Sequence, residues 1–116
     1  YPLLPHAVFP AAPAAALAAW EAVRSLGHAP GDIVIGGDSA GGNLVFGLLA
    51  QVLARQERPA GAFAFSPWTD LTLSGESLRT LGPRDPVLPV GRMEELVRMY
   101  LAGADPRDPR ASPLLA

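Results

Sequence analysis

The chain has 116 residues, of which 49% are hydrophobic and 17% are charged, so it is long and apolar enough to form a packed core. Its 9 basic residues, all of them arginine, nearly balance its 11 acidic residues, and we therefore expect no nucleic-acid partner. The absence of cysteine excludes a disulfide framework and a thiolate nucleophile within these residues. The only histidines, His6 and His28, are too few for a histidine-rich metal centre.

The hydropathy pattern contains no segment that would span a bilayer. The longest apolar run, residues 44–54, is interrupted by Gly47 and Gln51 and is shorter than the roughly 20 residues that a bilayer requires. We also find no secretory leader, in which a charged segment is followed by an apolar one, and this predicts a cytoplasmic location. The first residue is Tyr1 rather than methionine, and we expect further residues to precede it.

The first half of the chain predicts a strand–helix–strand unit. Residues 14–26 are alanine-rich and are followed by Gly27, which is typical of a helix and its end. A short β-branched run at 32–36 predicts a strand that is buried on both faces. Residues 40–55, with apolar side chains all round, predict a deeply buried helix, and residues 61–65 predict a second strand. This order indicates a parallel sheet with a right-handed crossover, hence the α/β class.

The second half is less regular. Residues 66–90 show no convincing periodicity, and such a long irregular stretch in a domain is typical of a lid or binding loop. An amphipathic helix follows at 93–101, where we expect Glu94 and Arg98 to pair on the outer face. Two strands are fewer than the five or six of a common α/β sheet. We therefore predict that residues 1–116 are an internal portion of a single domain.

Residues 37–41 read Gly-Asp-Ser-Ala-Gly and match the G-x-S-x-G nucleophile elbow. In this motif a strand turns sharply into a helix, and Ser39 projects from a strained backbone. Glycine at positions 37 and 41 avoids collisions with the tight turn or with neighbouring strands. The backbone N–H of Ala40, at the start of the helix, would donate to a developing oxyanion. About 0.06 such matches are expected by chance from the glycine and serine content.

Two phosphate-binding motifs compete for the same glycines, and both fail. A dinucleotide fingerprint needs its second glycine two places after the first, where Asp38 or Ser39 stands. A P-loop needs a lysine, and the chain has none.

Four segments resemble the hormone-sensitive-lipase-like branch of bacterial esterases: residues 36–44, 66–71, 84–88 and 112–114. The resemblance implies a partial α/β-hydrolase fold, with a parallel βαβ core and part of a lid region at 66–90. It also implies an esterase or lipase-like hydrolase that forms an acyl-enzyme on Ser39. The implied substrates are short- to medium-chain acyl esters, with neither a metal nor an organic cofactor. The opening segment departs from the family pattern, because Pro2 replaces an arginine and His6 replaces a glutamate.

The rest of the catalytic machinery is not apparent in these residues. In α/β-hydrolases the acid and then the histidine follow the serine, but no histidine follows Ser39. His28 precedes the strand that leads to Ser39, and about five strand residues at roughly 3.3 Å each place it some 15 Å away. His6 is predicted to be a surface or packing residue. A glycine-rich loop that would supply a second oxyanion donor is also missing, and we expect this chain to be inactive by itself.

Other polar and aromatic residues have structural explanations. We expect Asp38 to point away from Ser39 and to bond neighbouring backbone. Asp70 and Asp85 lie near turns and are predicted to cap them. Trp68 is interpreted as either a lining of the acyl pocket or a packed loop aromatic. Asn43, early in the second helix, is expected to bond the backbone.

Three alternatives to an esterase remain open. The same scaffold could carry a small-molecule-binding protein without catalysis, an amidase or deacetylase, or a degenerate structural unit. A histidine downstream of Ala116 would favour catalysis over binding. The oligomeric state is not indicated by the sequence.

Overall fold

The computed structural model describes residues 1–116. The elements follow in the order α1 (Ala11–Ser25), β1 (Val34–Asp38), α2 (Ser39–Ala54), β2 (Gly61–Phe65), α3 (Glu76–Thr80) and α4 (Met93–Leu101). The two strands are parallel, with Val34 opposite Gly61 and Asp38 opposite Phe65. The predicted βαβ unit and α/β class are thus confirmed. None of the helices is long and apolar enough to cross a membrane.

Helix α1 begins three residues before the predicted start, at Ala11 rather than at residue 14. The reason is Pro13, which lies in the first turn, where a missing N–H and a fixed φ do not interrupt the helix. The helix packs against α2 through Trp20, which contacts Leu48 and Val52 in one of the two apolar clusters. This contact holds α1 against α2, the helix that connects the two strands.

Strand β1 differs from its prediction in both position and burial. It occupies Val34–Asp38 rather than residues 32–36, because Pro30–Asp32 forms a 3₁₀ turn. Val34 is 59% exposed, so the strand is not buried on both faces. Nothing within these residues covers the outer side of the two-stranded sheet, and Phe63 and Phe65 of β2 are exposed as well.

Helix α2 is buried on one side rather than all round. The buried apolar side chains are Leu44, Val45, Leu48 and Val52. Phe46 and Leu53 are exposed, which corrects the prediction of burial on every face. The helix bounds, Ser39–Ala54, agree with the predicted 40–55 to within one residue.

The stretch 66–90 contains more structure than predicted. Helix α3 and a 3₁₀ turn at Gly82–Arg84 lie within it, and both are too short to produce a readable periodicity. Its role as a lid stays a prediction. Helix α4 has the predicted bounds, but its ion pair joins Arg92 to Glu95 at 3.1 Å, rather than Glu94 to Arg98.

Candidate active site

The junction of β1 and α2 contains the sharp reversal that the motif predicts. Asp38 is extended, with φ −124° and ψ 151°, and the next residue, Ser39, has φ 50°. A residue with a side chain in this left-handed region carries roughly 1–3 kcal/mol of strain, so the surrounding structure must hold it there. Ser39 is exposed, and its side chain is therefore accessible within these residues.

Two glycines allow the close packing at this turn, and one of them was not predicted. A Cβ on Gly37 would lie 2.6 Å from the backbone carbon and oxygen of Gly41, so the predicted crowding is confirmed there. A Cβ on Gly41 itself would meet nothing within 4 Å, so no collision within these residues explains that glycine, and a collision with further strands stays a prediction. The second crowded position is Gly42, whose Cβ would lie 2.8 Å from Cβ of Pro67 and 3.3 Å from Cβ of Ala64.

The amino terminus of α2 is open to an anion. The first N–H groups of any helix lack partners within the helix, and the aligned peptide dipoles make this end positive. No acidic residue lies in the first turn of α2. Asp38 is exposed and makes no capping hydrogen bond, which corrects the prediction that its side chain bonds neighbouring backbone. The N–H groups that follow Ser39, including that of Ala40, therefore have no side-chain cap.

Residues after β2 pack directly against the elbow. The N–H of Trp68 donates to the carbonyl oxygen of Ser39 at 3.3 Å. The side-chain amide of Asn43 donates to the carbonyl oxygens of Trp68 and Ala111, both at 2.7 Å. Backbone bonding by Asn43 is thus confirmed, and its partners are far away in sequence. The loop that follows β2 is thus held against the turn at Ser39 by a side chain of α2.

The far side of the same loop is tied to the end of the chain. Ser112 is fully buried, and its hydroxyl accepts from the N–H of Leu71 at 2.8 Å and donates to the carbonyl of Pro106 at 2.6 Å. The N–H of Leu114 donates to the carbonyl of Thr69 at 3.1 Å. The sequence shows Ser112 only as part of a family-like segment and does not indicate this structural role.

An apolar cavity of about 370 Å³ opens beside the elbow, and 11 of its 13 lining residues are hydrophobic. The lining includes Ala40 and Leu44 of α2, Trp68, and Val97 and Tyr100 of α4. Trp68 also packs against the apolar cluster of Phe9, Leu71, Leu101 and Ala111. Trp68 therefore does both of the things that the sequence suggested as alternatives: it lines a cavity, and it packs against an apolar cluster.

Comparison with known proteins identifies the fold. A family model described as the alpha/beta hydrolase fold matches residues 1–116. The chain belongs to the α/β-hydrolase family.

Several proteins that are similar to this α/β-hydrolase are named as ester or acetyl hydrolases. An acetyl-hydrolase of Streptomyces hygroscopicus is 39% identical over 94% of this chain and 37% of its own length. An esterase of Acinetobacter venetianus is 38% identical over 98% of this chain and 38% of its own length. The crystal structure of an esterase from the bacterial hormone-sensitive lipase family aligns with the whole of this chain over 39% of its own length, with a TM-score of 0.91 and 38% identity.

These findings confirm the predicted resemblance to hormone-sensitive-lipase-like esterases. They also show that the chain spans less than two fifths of the length of the curated relatives that it matches.

Neither histidine of this α/β-hydrolase lies at the elbow. His28 is exposed and precedes the 3₁₀ turn at the amino end of β1, whereas Ser39 follows the carboxyl end. His6 is exposed and does not line the cavity, in agreement with its predicted surface position. Pro2 does line the cavity, and it brings no charge there, unlike the arginine that it replaces in the family pattern.

The carboxylates that the sequence assigned to turns do cap turns. Asp70 accepts from the N–H and hydroxyl groups of Thr72 and Ser74, at 2.5 to 3.0 Å. Partial burial acts to raise the pKa of Asp70, but the hydrogen bonds from Ser74 and Thr72 outweigh it and lower the pKa to about 2. Asp85 accepts from the N–H groups of Val87 and Leu88, which lower its pKa. No group of three or more potential metal-ligating side chains converges anywhere in these residues.

Proposed function

We propose that this protein is a serine carboxylic-ester hydrolase and that Ser39 is its nucleophile. The observation that carries the proposal is the φ of 50° at an exposed serine between the end of a parallel strand and the uncapped start of a 16-residue helix. Strain of this kind in a residue other than glycine is often found at functional sites. The similarity to proteins named esterase and acetyl-hydrolase supports the same reaction class.

The reaction would proceed through an acyl-enzyme. The Ser39 Oγ attacks the ester carbonyl carbon, and the carbonyl oxygen becomes an oxyanion beside the N–H of Ala40. The C–O bond to the alcohol then breaks, and the alcohol leaves with the proton that the serine lost. Water then attacks the acyl carbon, the bond from that carbon to Ser39 Oγ breaks, the acid is released and Ser39 Oγ recovers a proton from the water. One oxyanion donor of this kind contributes roughly 10²–10³-fold to kcat in serine hydrolases.

The base that accepts the serine proton would come from outside residues 1–116. His6 and His28 lie away from the elbow. Both carboxylate oxygens of Asp70 accept hydrogen bonds within its own turn, and Asp85 caps the turn at Val87 and Leu88 through Oδ1. A histidine, its carboxylate partner and a second oxyanion donor supplied by the remainder of the protein would complete the site. On this proposal the 116 residues alone do not turn over substrate. The cytoplasmic location also stays a prediction.

The cavity beside Ala40 supports a short- to medium-chain acyl ester as the proposed substrate. Its volume of about 370 Å³ is near the lower end of ligand sites, which hold roughly 300–1,000 Å³, and its lining is apolar. A short- to medium-chain acyl group fits this space without needing a charged partner. A relative that is named acetyl-hydrolase supports the short end of the range.

Covalent labelling tests the proposal directly. We expect a fluorophosphonate to label the full-length protein at Ser39, as located by mass spectrometry of its peptides, and Ser39→Ala to lose the label and ester hydrolysis together. The matched control is Ser66→Ala, since Ser66 is also exposed and has φ 44° at the end of β2. It should keep the label. An unlabelled wild type would indicate a binding protein or a degenerate site, and a labelled enzyme that cleaves amides but not esters would indicate an amidase.

A further inference from the structure

The backbone of Trp68 is held by two residues that are one helical turn apart on α2. Its N–H donates to the carbonyl of Ser39, and its own carbonyl accepts from the side chain of Asn43. Both acceptors of the Asn43 amide are carbonyl oxygens, so the chemistry fixes which end of the amide faces them. Asn43 is only 7% exposed, and these bonds satisfy both of its N–H groups.

The bond to Ser39 acts on the same peptide unit that carries the proposed oxyanion donor. In a planar trans peptide the C=O and the following N–H point in opposite directions. When Trp68 holds the Ser39 carbonyl on one side, it also sets the direction of the Ala40 N–H on the other side. A hydrogen bond to the carbonyl additionally polarises the amide and strengthens its N–H as a donor.

We propose that Asn43 is a positioning residue for the oxyanion site and that it acts through Trp68 on the Ser39–Ala40 peptide. This inference rests on the proposed function of Ser39. The bond from Trp68 to Ser39 is long, at 3.3 Å, and so restrains the peptide without locking it. Loss of Asn43 should therefore cost less than removal of a whole oxyanion donor, about 10-fold in kcat rather than 10²–10³-fold.

The test compares Asn43→Ala with Ser112→Ala in the full-length enzyme. Ser112 is a matched control because it is buried, makes two hydrogen bonds and holds the same loop, but its partners are Leu71 and Pro106 rather than Trp68. Active-site titration with the fluorophosphonate gives the concentration of competent enzyme, so kcat does not depend on the folded fraction. We expect kcat to fall about 10-fold in Asn43→Ala, with KM little changed, and to fall clearly less in Ser112→Ala.

A second readout separates positioning from general packing. A trifluoromethyl ketone forms an oxyanion adduct with the serine, whereas the corresponding secondary alcohol occupies the cavity without forming one. Asn43→Ala should lower the affinity for the ketone by the same factor as it lowers kcat, and it should leave the affinity for the alcohol unchanged. Asn43 also lines the cavity, and a direct contact with substrate would instead raise KM and weaken both ligands. If Asn43→Ala does not fold, Asn43→Asp keeps the side-chain size, removes at least one donor and should show the same selective loss.

The outcomes distinguish the two proposals. Absence of labelling at Ser39 in the wild type overturns the function itself. Labelling and hydrolysis at Ser39, with equal kcat losses in Asn43→Ala and Ser112→Ala or equal weakening of ketone and alcohol, overturn only the role of Asn43.

Discussion

The two strands end in similar ways but lead to different chemistry. Asp38 and Phe65 are opposite each other in the sheet, so Ser39 and Ser66 follow at the same edge. Both serines are exposed, and their φ values are 50° and 44°. Ser39 begins a 16-residue helix, whereas the chain after Ser66 continues without a helix until Glu76.

The difference lies in the residue that follows each serine. After Ser39 comes Ala40, whose N–H lies at the positive end of α2. After Ser66 comes Pro67, which has no N–H at all and so has no donor for an oxyanion. Under our proposal, a serine with a left-handed backbone at the end of a strand is therefore not sufficient for catalysis. Our proposal requires in addition a free N–H on the next residue and a helix behind it.

The largest effect is expected from a substitution at Gly37, near Ser39 at the end of β1. In Gly37→Ala the new methyl group would meet the backbone of Gly41 at 2.6 Å, and backbone atoms of a packed helix cannot move aside cheaply. We expect a loss of about 3 kcal/mol or more in the free energy of unfolding, measured by urea denaturation. In whatever fraction folds, kcat should fall about 100-fold, because a displacement near 1 Å misplaces the nucleophile.

Gly41→Ala is the control for this crowding argument. It lies in the same motif, but a Cβ there meets nothing within 4 Å. Alanine is also the better helix former, by up to about 1 kcal/mol. The free energy of unfolding should stay the same or rise. Equal destabilisation by the two variants would contradict the crowding assigned to Gly37.

A smaller effect is expected at Gly42, where the first turn of α2 packs against Pro67 just after β2. In Gly42→Ala the methyl group would lie 2.8 Å from Cβ of Pro67, so the loop must shift outward. That shift lengthens the bond from Trp68 to Ser39, which is already 3.3 Å. We expect kcat to fall about 10-fold and the free energy of unfolding to fall by about 1–2 kcal/mol. A stability loss with kcat unchanged would show that the contact between the two ends does not bear on catalysis.

The features that sequence reasoning found are local ones. The strand–helix–strand order, the bend at Ser39 and the crowding at Gly37 follow from residue types within a few positions of one another. The turn caps at Asp70 and Asp85 are equally local, because each carboxylate bonds residues two to four places ahead. Such patterns are readable because the interacting groups are adjacent along the chain.

The features that sequence reasoning missed depend on distant parts of the chain. Nothing near Gly42 indicates that Pro67 will approach it, and nothing near Asn43 indicates that it will bond Ala111, 68 positions away. The prediction that β1 is buried on both faces was wrong for a related reason. An apolar strand predicts that its faces will be covered, but Val34 is exposed because no element of these 116 residues lies over it.

The smallest expected effect concerns the Ser66 end, where Asp70 orders the loop. Its pKa is lowered from 3.8 to about 2, so the folded state favours the ionised form. The stabilisation is therefore fully present above about pH 4 and is lost as the pH falls toward 2. We expect Asp70→Ala to lower the free energy of unfolding by about 1–2 kcal/mol at pH 6, less than the full pKa shift implies because solvent screens the group. The difference from wild type should be smaller at pH 3, as measured by urea denaturation at both pH values. Ser39 should label normally in this variant, and a difference that grows on acidification would contradict the role assigned to the ionised carboxylate.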